Sequence, residues 1–344
     1  MEGWAILQSG MSDRFIELIT NMYKELKSCV RLENGYTSYF ESRKGTRQGC
    51  PLSPTLFNVF VNDLPNVLMT ETTDYPLLGK EPIPCLLYAD DIVILSKSKS
   101  GLQNSLLNLQ NYCKSWKLSI SIKKTKIMIL NKKVEKTDKF YIGNSKLQVE
   151  TKLPYLGITF NANGTFKSCI KSLTLKAQKS YYLIRQQFNI YTNTQIQTLC
   201  YLFDTMVKPV CLYGSEVWGA YNINKLDQQG TLKSIINDNL EYEKLHLKFC
   251  KNILGFHKKS TNIASQGELG RYPIQLDIIS NVFSYWAKIQ HNKVPILTRI
   301  ALQNEIELHE KGQITFVTFI NNGQKHNVTH SGKRMACHPK KLKN

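Results

Sequence analysis

The sequence predicts an α+β protein, an antiparallel sheet with packed helices followed by a mainly helical region, and three observations predict it. Short apolar runs bounded by turn residues alternate with helix-period segments between residues 29 and 164. Beyond residue 165 the strand signals fade and apolar residues recur at three- and four-residue intervals. A chain of 344 residues with 42% hydrophobic content is long enough for about two domains, each burying its own core. The organisation read from these features is residues 1–164, residues 165–322, and a polar, basic tail over 323–344 whose composition predicts disorder.

Phe15, Ile16, Leu18, Ile19, Met22, Tyr23 and Leu26 recur at helical spacing, with Ser12 and Asp13 placed to cap the first helix. Residues 29–40 predict a short hairpin around Glu33-Asn34-Gly35, because Asn-Gly readily takes positive φ. A polar loop over 41–48 leads to Ser53 as N-cap and Pro54 at the first helical position. The helix they open buries Leu56, Phe57, Phe60, Val61 and Leu64, and Pro65 ends it.

Residues 83–88 and 92–95 are apolar runs separated by Ala89-Asp90-Asp91, the pattern of a tight hairpin with acidic groups at its tip. Leu102, Leu106, Leu109, Cys113 and Trp116 predict a helix, and Ile120, Ile122, Ile127 and Ile129 a strand. Strands over 146–149 and 155–160 follow, closed by the turn signal Asn161-Ala162-Asn163-Gly164. Helices over 173–188, 195–207 and 235–254 make up the second region.

Forty-five Lys and Arg against 26 Asp and Glu leave a net charge of +19, which favours a polyanionic partner, either nucleic acid or a membrane surface. No run approaches the ~20 apolar residues a spanning helix needs, and the N-terminus lacks the plan of a secretory signal. The expectation is an intracellular protein that does not insert in a membrane, with nucleus or cytoplasm left open. Nine scattered cysteines without a CxxC pair argue against a disulfide framework or a zinc site. His246, Cys250 and His257 are read as packing and surface residues.

The feature that carries chemistry is Tyr88-Ala89-Asp90-Asp91. Two adjacent carboxylates on a hairpin tip suit magnesium, a hard cation whose sites are completed by substrate phosphates. On the dipeptide alone a solvated turn is the favoured reading, since Asp tolerates turn geometry. Upstream, in Gly45-Thr46-Arg47-Gln48-Gly49-Cys50-Pro51-Leu52-Ser53-Pro54-Thr55-Leu56-Phe57, Gly49 lets a ligand approach the backbone and the helix after it offers a positive N-terminal end.

Taken in order, that stretch, the Tyr-Ala-Asp-Asp run, Lys124-Thr125-Lys126 and Tyr155-Leu156-Gly157 resemble the reverse transcriptases of non-LTR, LINE-type retrotransposons over roughly residues 10–220. The resemblance implies a partial right-hand polymerase palm over 1–164 and a thumb-like helical region over 165–322. It implies RNA-directed DNA synthesis on an RNA template and a DNA primer, with deoxynucleoside triphosphates as substrates and Mg2+ as cofactor.

By the same resemblance Asp90 and Asp91 are catalytic metal ligands. Gln48, Gly49, Ser53, Pro54, Tyr88 and Lys124 meet the template and incoming nucleotide, with Lys124 near the triphosphate or simply a solvated lysine. Leu156 and Gly157 lie in a primer-gripping hairpin, or in a plain strand with a glycine bulge. The stretches Lys208-Pro209-Val210-Cys211-Leu212-Tyr213-Gly214-Ser215-Glu216-Val217-Trp218-Gly219 and Lys248-Phe249-Cys250-Lys251-Asn252-Ile253-Leu254-Gly255 also resemble sequence downstream of such cores, and Lys248, Lys251, Lys258 and Lys259 could contact phosphates.

The family draws a further catalytic Asp from a strand before the helix at residues 12–26, so an incomplete metal site and little activity of this chain alone are expected. The alternatives are a non-catalytic nucleic-acid-binding remnant and a fragment of a longer active polymerase. Protein partners are not legible.

Overall fold

The computed structural model describes residues 12–24, 27–41, 45, 49–130, 135, 138–188, 195–223, 237–291 and 293–311. They fall into two compact units, one from Met1–Thr125 with Asp138–Leu147, the other from Lys126–Thr137 with Gln148–Asn344.

In the first unit a helix over Asp13–Tyr23 is followed by two small strand pairs, Lys27–Ser28 with Phe40–Glu41 and Arg31–Leu32 with Gly35–Tyr36. Helices Ser53–Phe60 and Leu64–Leu68 come next, then the hairpins Leu77–Leu78/Glu81–Pro82 and Cys85–Tyr88/Asp91–Ile94. The long helix Lys99–Ser115 starts where the Ser98 side chain accepts from the Gly101 amide at 3.1 Å, satisfying one of the donors a helix start leaves open. A last hairpin pairs Tyr141–Ile142 with Ser145–Lys146. The core gathers Leu64, Leu68, Cys85, Leu109, Tyr112 and Cys113, with Leu87, Ile92, Ile94 and Trp116 packed on them.

The second unit opens with a parallel pair, Lys126–Ile127 beside Gln148–Val149, and a hairpin, Lys152–Tyr155/Ile158–Asn161. The rest is helical: Lys167–Gln187, Ile196–Leu202, a π turn over Phe203–Val207, Lys208–Leu212, Ser215–Ile223, Glu241–Ile253, Asn262–Gly267, Ile274–Gln290 and Ile296–Glu310. Its core includes Cys169, Leu173, Tyr181, Phe203, Trp218, Tyr242, Phe249 and Ile278. Phe203 stacks on Phe249 with ring centroids 4.1 Å apart. Burying large aromatic rings in this way contributes more per residue than any other side chain.

The α+β class holds, with corrections in detail. The sheet is realised among the described residues as two-stranded pairs, and one of them is parallel. The residues read as a strand over 120–129 pair only at Lys126–Ile127. The 146–149 strand divides between two partners.

Ser53 is the first helical residue rather than the cap. Leu52 occupies the N-cap without a side-chain bond, and the Ser53 hydroxyl instead lies 3.2 Å from that of Tyr23. Pro65 does not end this helix, which stops at Phe60; it sits in the first turn of the short helix that follows, where its missing N–H costs nothing. The hairpin at 31–36 turns at Glu33-Asn34, one residue earlier than the Asn-Gly signal. Gln48, Leu26, residues 235–236 and the tail beyond 323 lie outside the described residues.

Candidate active site

The acidic hairpin owes its shape to alternation. Cys85 pairs with Ile94 and Leu87 with Ile92, while Leu86 pairs with Val93 and Tyr88 with Asp91. Cross-strand partners share a face, so the first set points into the core between helices Leu64–Leu68 and Lys99–Ser115, and the second set faces away from it. Burial pushes the Cys85 thiol up to about 11. Asp91 is therefore the first residue of the return strand, beside Tyr88 on the outer face, and Asp90 is in the turn itself. Both are exposed.

The turn is two residues long, Ala89-Asp90, with Ala89 at φ +50° and Asp90 outside the positive region. That is the sign pattern of a type II′ turn, in which the first position favours glycine. A methyl-bearing residue there is held only because the paired strands on both sides impose it.

The helix Ser53–Phe60 and the acidic hairpin stand on a shared base. Tyr112, in the helix Lys99–Ser115, donates to Asp63 Oδ1 at 2.6 Å and to the Phe60 carbonyl at 3.3 Å, both at the far end of the Ser53 helix. Burial, followed by the Asp63 carboxylate, pushes the Tyr112 hydroxyl well above the usual phenol range. Trp116 meets Phe60 edge-to-face at 5.1 Å. Asp63 is thus occupied in fastening helices together. Before and at the start of the helix Ser53–Phe60, Gly49 takes φ +78° and Ser53 is buried, while Pro54 is exposed. The Leu52 backbone amide holds the Cys50 thiol below its usual range.

Lys124 is exposed, its amide bonded to the Ser121 carbonyl at 3.0 Å in a tight turn. Leu156 and Gly157 are the two central residues of the hairpin Lys152–Tyr155/Ile158–Asn161, at φ +46° and +81°. A tight hairpin therefore replaces both the continuous strand over 155–160 and the glycine bulge. These two residues belong to the second unit, the remaining described site residues to the first.

For a metal, Asp90 and Asp91 supply carboxylate oxygens on an exposed, well-braced tip, a donor chemistry that fits magnesium. Among the described residues no group of three or more His, Cys, Asp or Glu side chains is placed to hold a metal ion. His246, Cys250 and His257 accordingly form no such site. His246 is buried and accepts from Arg271 Nε at 2.9 Å, Arg271 being in turn paired with Asp204. No helix of the described residues is long and apolar enough to cross a membrane.

Sequence reasoning missed two supporting tyrosines. Tyr112 gave only a core-helix signal, and Tyr213, which bonds the Leu156 carbonyl at 2.9 Å, lies 57 residues from its partner.

Residues 9–160 match the family described as reverse transcriptase (RNA-dependent DNA polymerase). The chain is 28% identical over 210 residues to a probable RNA-directed DNA polymerase from transposon BS of Drosophila melanogaster, covering 59% of this chain and 23% of that protein. It is 31% identical over 153 residues to a Pol polyprotein from a type-1 R2 retrotransposable element of Nasonia vitripennis, covering 42% and 15%. Against the RNA-directed DNA polymerase from mobile element jockey of Drosophila melanogaster it is 25% identical over 213 residues, covering 59% and 22%. The matched part of the chain thus spans less than a quarter of the length of each of these relatives.

Proposed function

The chain carries a reverse transcriptase domain of the non-LTR retrotransposon kind, and from that premise we propose that the hairpin tip at Asp90 and Asp91 is the catalytic centre of RNA-directed DNA synthesis. The observation that carries the reading is a pair of carboxylates offered to solvent on a turn whose other face is locked into a core. Asp90 and Asp91 would hold magnesium, which when bound supplies a Lewis acid for the phosphoryl oxygens. Two carboxylates are part of such a donor set, to be completed by substrate phosphates and a further carboxylate.

Gln48, Gly49, Ser53 and Pro54 are assigned to the template and incoming nucleotide, which Gly49 would let approach the backbone. Tyr88 lies beside Asp91 on the outer face of the hairpin, and it is assigned to the nucleotide. Lys124 is assigned to the triphosphate, and Leu156-Gly157 to the primer strand. Residues 1–164 are read as palm and 165–322 as a thumb-like region. The +19 charge supports a nucleic-acid partner.

The test is magnesium-dependent binding of a deoxynucleoside triphosphate, with primer extension on an RNA template alongside. Binding that weakens about tenfold or more in Asp90→Ala and Asp91→Ala, a loss of about 1.4 kcal/mol or more, supports the catalytic reading. A second reading, a non-catalytic RNA-binding remnant, is favoured by the two-carboxylate donor set. Nucleotide binding indifferent to both substitutions, beside salt-sensitive RNA binding, would establish it instead.

A further inference from the structure

The stretch Leu212-Tyr213-Gly214-Ser215-Glu216-Val217-Trp218-Gly219 has no role in the reading above, yet its described residues converge on one place. The Tyr213 hydroxyl donates to the Leu156 carbonyl at 2.9 Å. The Tyr213 ring lies so close to the turn that a Cβ on Gly157 would come within 2.9 Å of Cε1. One residue on, Gly214 abuts Ile158, where a Cβ would meet Cδ1 at 2.7 Å.

The other end of the stretch is fixed in the core. Trp218 is 1% exposed and donates its indole N–H to the Tyr213 carbonyl at 2.8 Å. Ser215, fully buried, accepts from Asn281 Nδ2 at 2.8 Å. Gly219 lets its helix approach Ile278 and Val282 too closely for any side chain. A rigid strut thus runs from the core to the tip of the hairpin.

The tip needs one. Leu156 stands at φ +46°, a region that L-residues with a side chain rarely adopt, and Gly157 follows at +81°. Both central residues positive is the type I′ pattern, which Asn-Gly would fill readily and Leu-Gly does not. An outside group must hold the Leu156 peptide in that orientation, and Tyr213 is the group bonded to its carbonyl.

We infer that Tyr213 is a positioning residue for the Leu156-Gly157 turn, and through that turn for the primer strand. The word primer rests on the function proposed above; the buttress does not. Glycine at 157 then serves two ends at once, the positive φ and the space for the Tyr213 ring.

The test compares Tyr213→Phe, which deletes only the hydroxyl, with Gly157→Ala, which disturbs the turn directly. Two readouts are needed: hydrogen exchange at the Gly157 and Ile158 amides, and affinity for a fluorescent RNA–DNA primer–template with a free 3′ end, with single-stranded RNA as control. Far-UV circular dichroism confirms folding. Tyr213→Phe is expected to speed exchange at the turn by about 2- to 10-fold, the factor of one net hydrogen bond, and to weaken primer–template binding by a similar factor while leaving RNA binding unchanged. Gly157→Ala should do both to a greater extent. Unchanged exchange in Tyr213→Phe overturns the inference. Binding lost in Gly157→Ala and intact in Tyr213→Phe also overturns it, while leaving the primer reading of the turn standing. Exchange that responds in both variants with primer–template affinity unaltered in both overturns the primer reading and leaves Tyr213 a buttress alone.

Discussion

Glu243 is the residue whose replacement should cost the helical unit most. It is 0% exposed, and its Oε1 accepts from the backbone amide of Gln275 at 2.6 Å. Gln275 is the second residue of the helix Ile274–Gln290, so the carboxylate caps that helix from a different one, at the end where the dipole favours negative charge. Its other oxygen lies 3.7 Å from His246 Nδ1. Because His246 Nε2 accepts from Arg271, the ring proton belongs on Nδ1, facing the carboxylate.

Glu243→Ala strands a buried amide, at about 1–3 kcal/mol, and removes a charge from the helix terminus, at up to about 2 kcal/mol. The sum is about 1–5 kcal/mol. Glu243→Gln keeps an acceptor oxygen and should lose only about 1–2 kcal/mol. Urea unfolding followed by circular dichroism measures both. With a slope of about 2 kcal/mol per molar the alanine variant moves the midpoint by about 0.5–2.5 M. Exchange of the Gln275 amide should rise far more in Ala than in Gln. Equal losses in the two variants, or an alanine loss below about 1 kcal/mol, would refute the capping argument.

Three further outcomes follow from the packing and the thiols. Gly219→Ala would place a methyl 2.7 Å from Ile278 Cγ2 and 2.9 Å from Val282 Cγ2, so in place of the usual helix gain from alanine it should destabilise by about 1–3 kcal/mol, measured as a lowered Tm. Ile278→Ala in the same chain should restore part of the additional loss. At pH near 7.5, iodoacetamide should label Cys50 before Cys85, Cys211 or Cys250, because the Leu52 amide lowers the Cys50 thiol while burial raises Cys85 to about 11 and the other two to about 12; peptide mass mapping over time reads the order.

The acidic hairpin was legible because its two strands carry their own alternation and the only polar pair between them had to be the tip. The reading missed by one residue, placing Asp91 in the turn rather than opposite Tyr88, since pairing register depends on turn geometry that Ala89 does not announce. The same limit hid the second turn: Leu156 at positive φ is an unusual turn former, and a single glycine reads as a bulge. Period marked helices over 173–188, 195–207 and 235–254, but those at Ser215–Ile223, Ile274–Gln290 and Ile296–Glu310 were not singled out, and the π turn at Phe203–Val207 was missed because one extra residue in a turn leaves no compositional mark. The cluster of Asp204, Glu243, His246 and Arg271 comes from three separate segments. Its one local hint is Glu243 and His246 three apart on an otherwise apolar helix face.

The two sides of the acidic hairpin also decide where it can pair. Sliding one strand past the other by a single residue would turn Leu87 or Ile92 outward and carry a carboxylate toward the greasy side. Each of these partly buried aliphatic side chains, if expelled, forfeits part of the about 1.5–3 kcal/mol that full burial contributes, so slipped alignments are disfavoured in the folded chain. Residues with no reactive chemistry of their own thereby act as the key that keeps Asp90 and Asp91 facing the water.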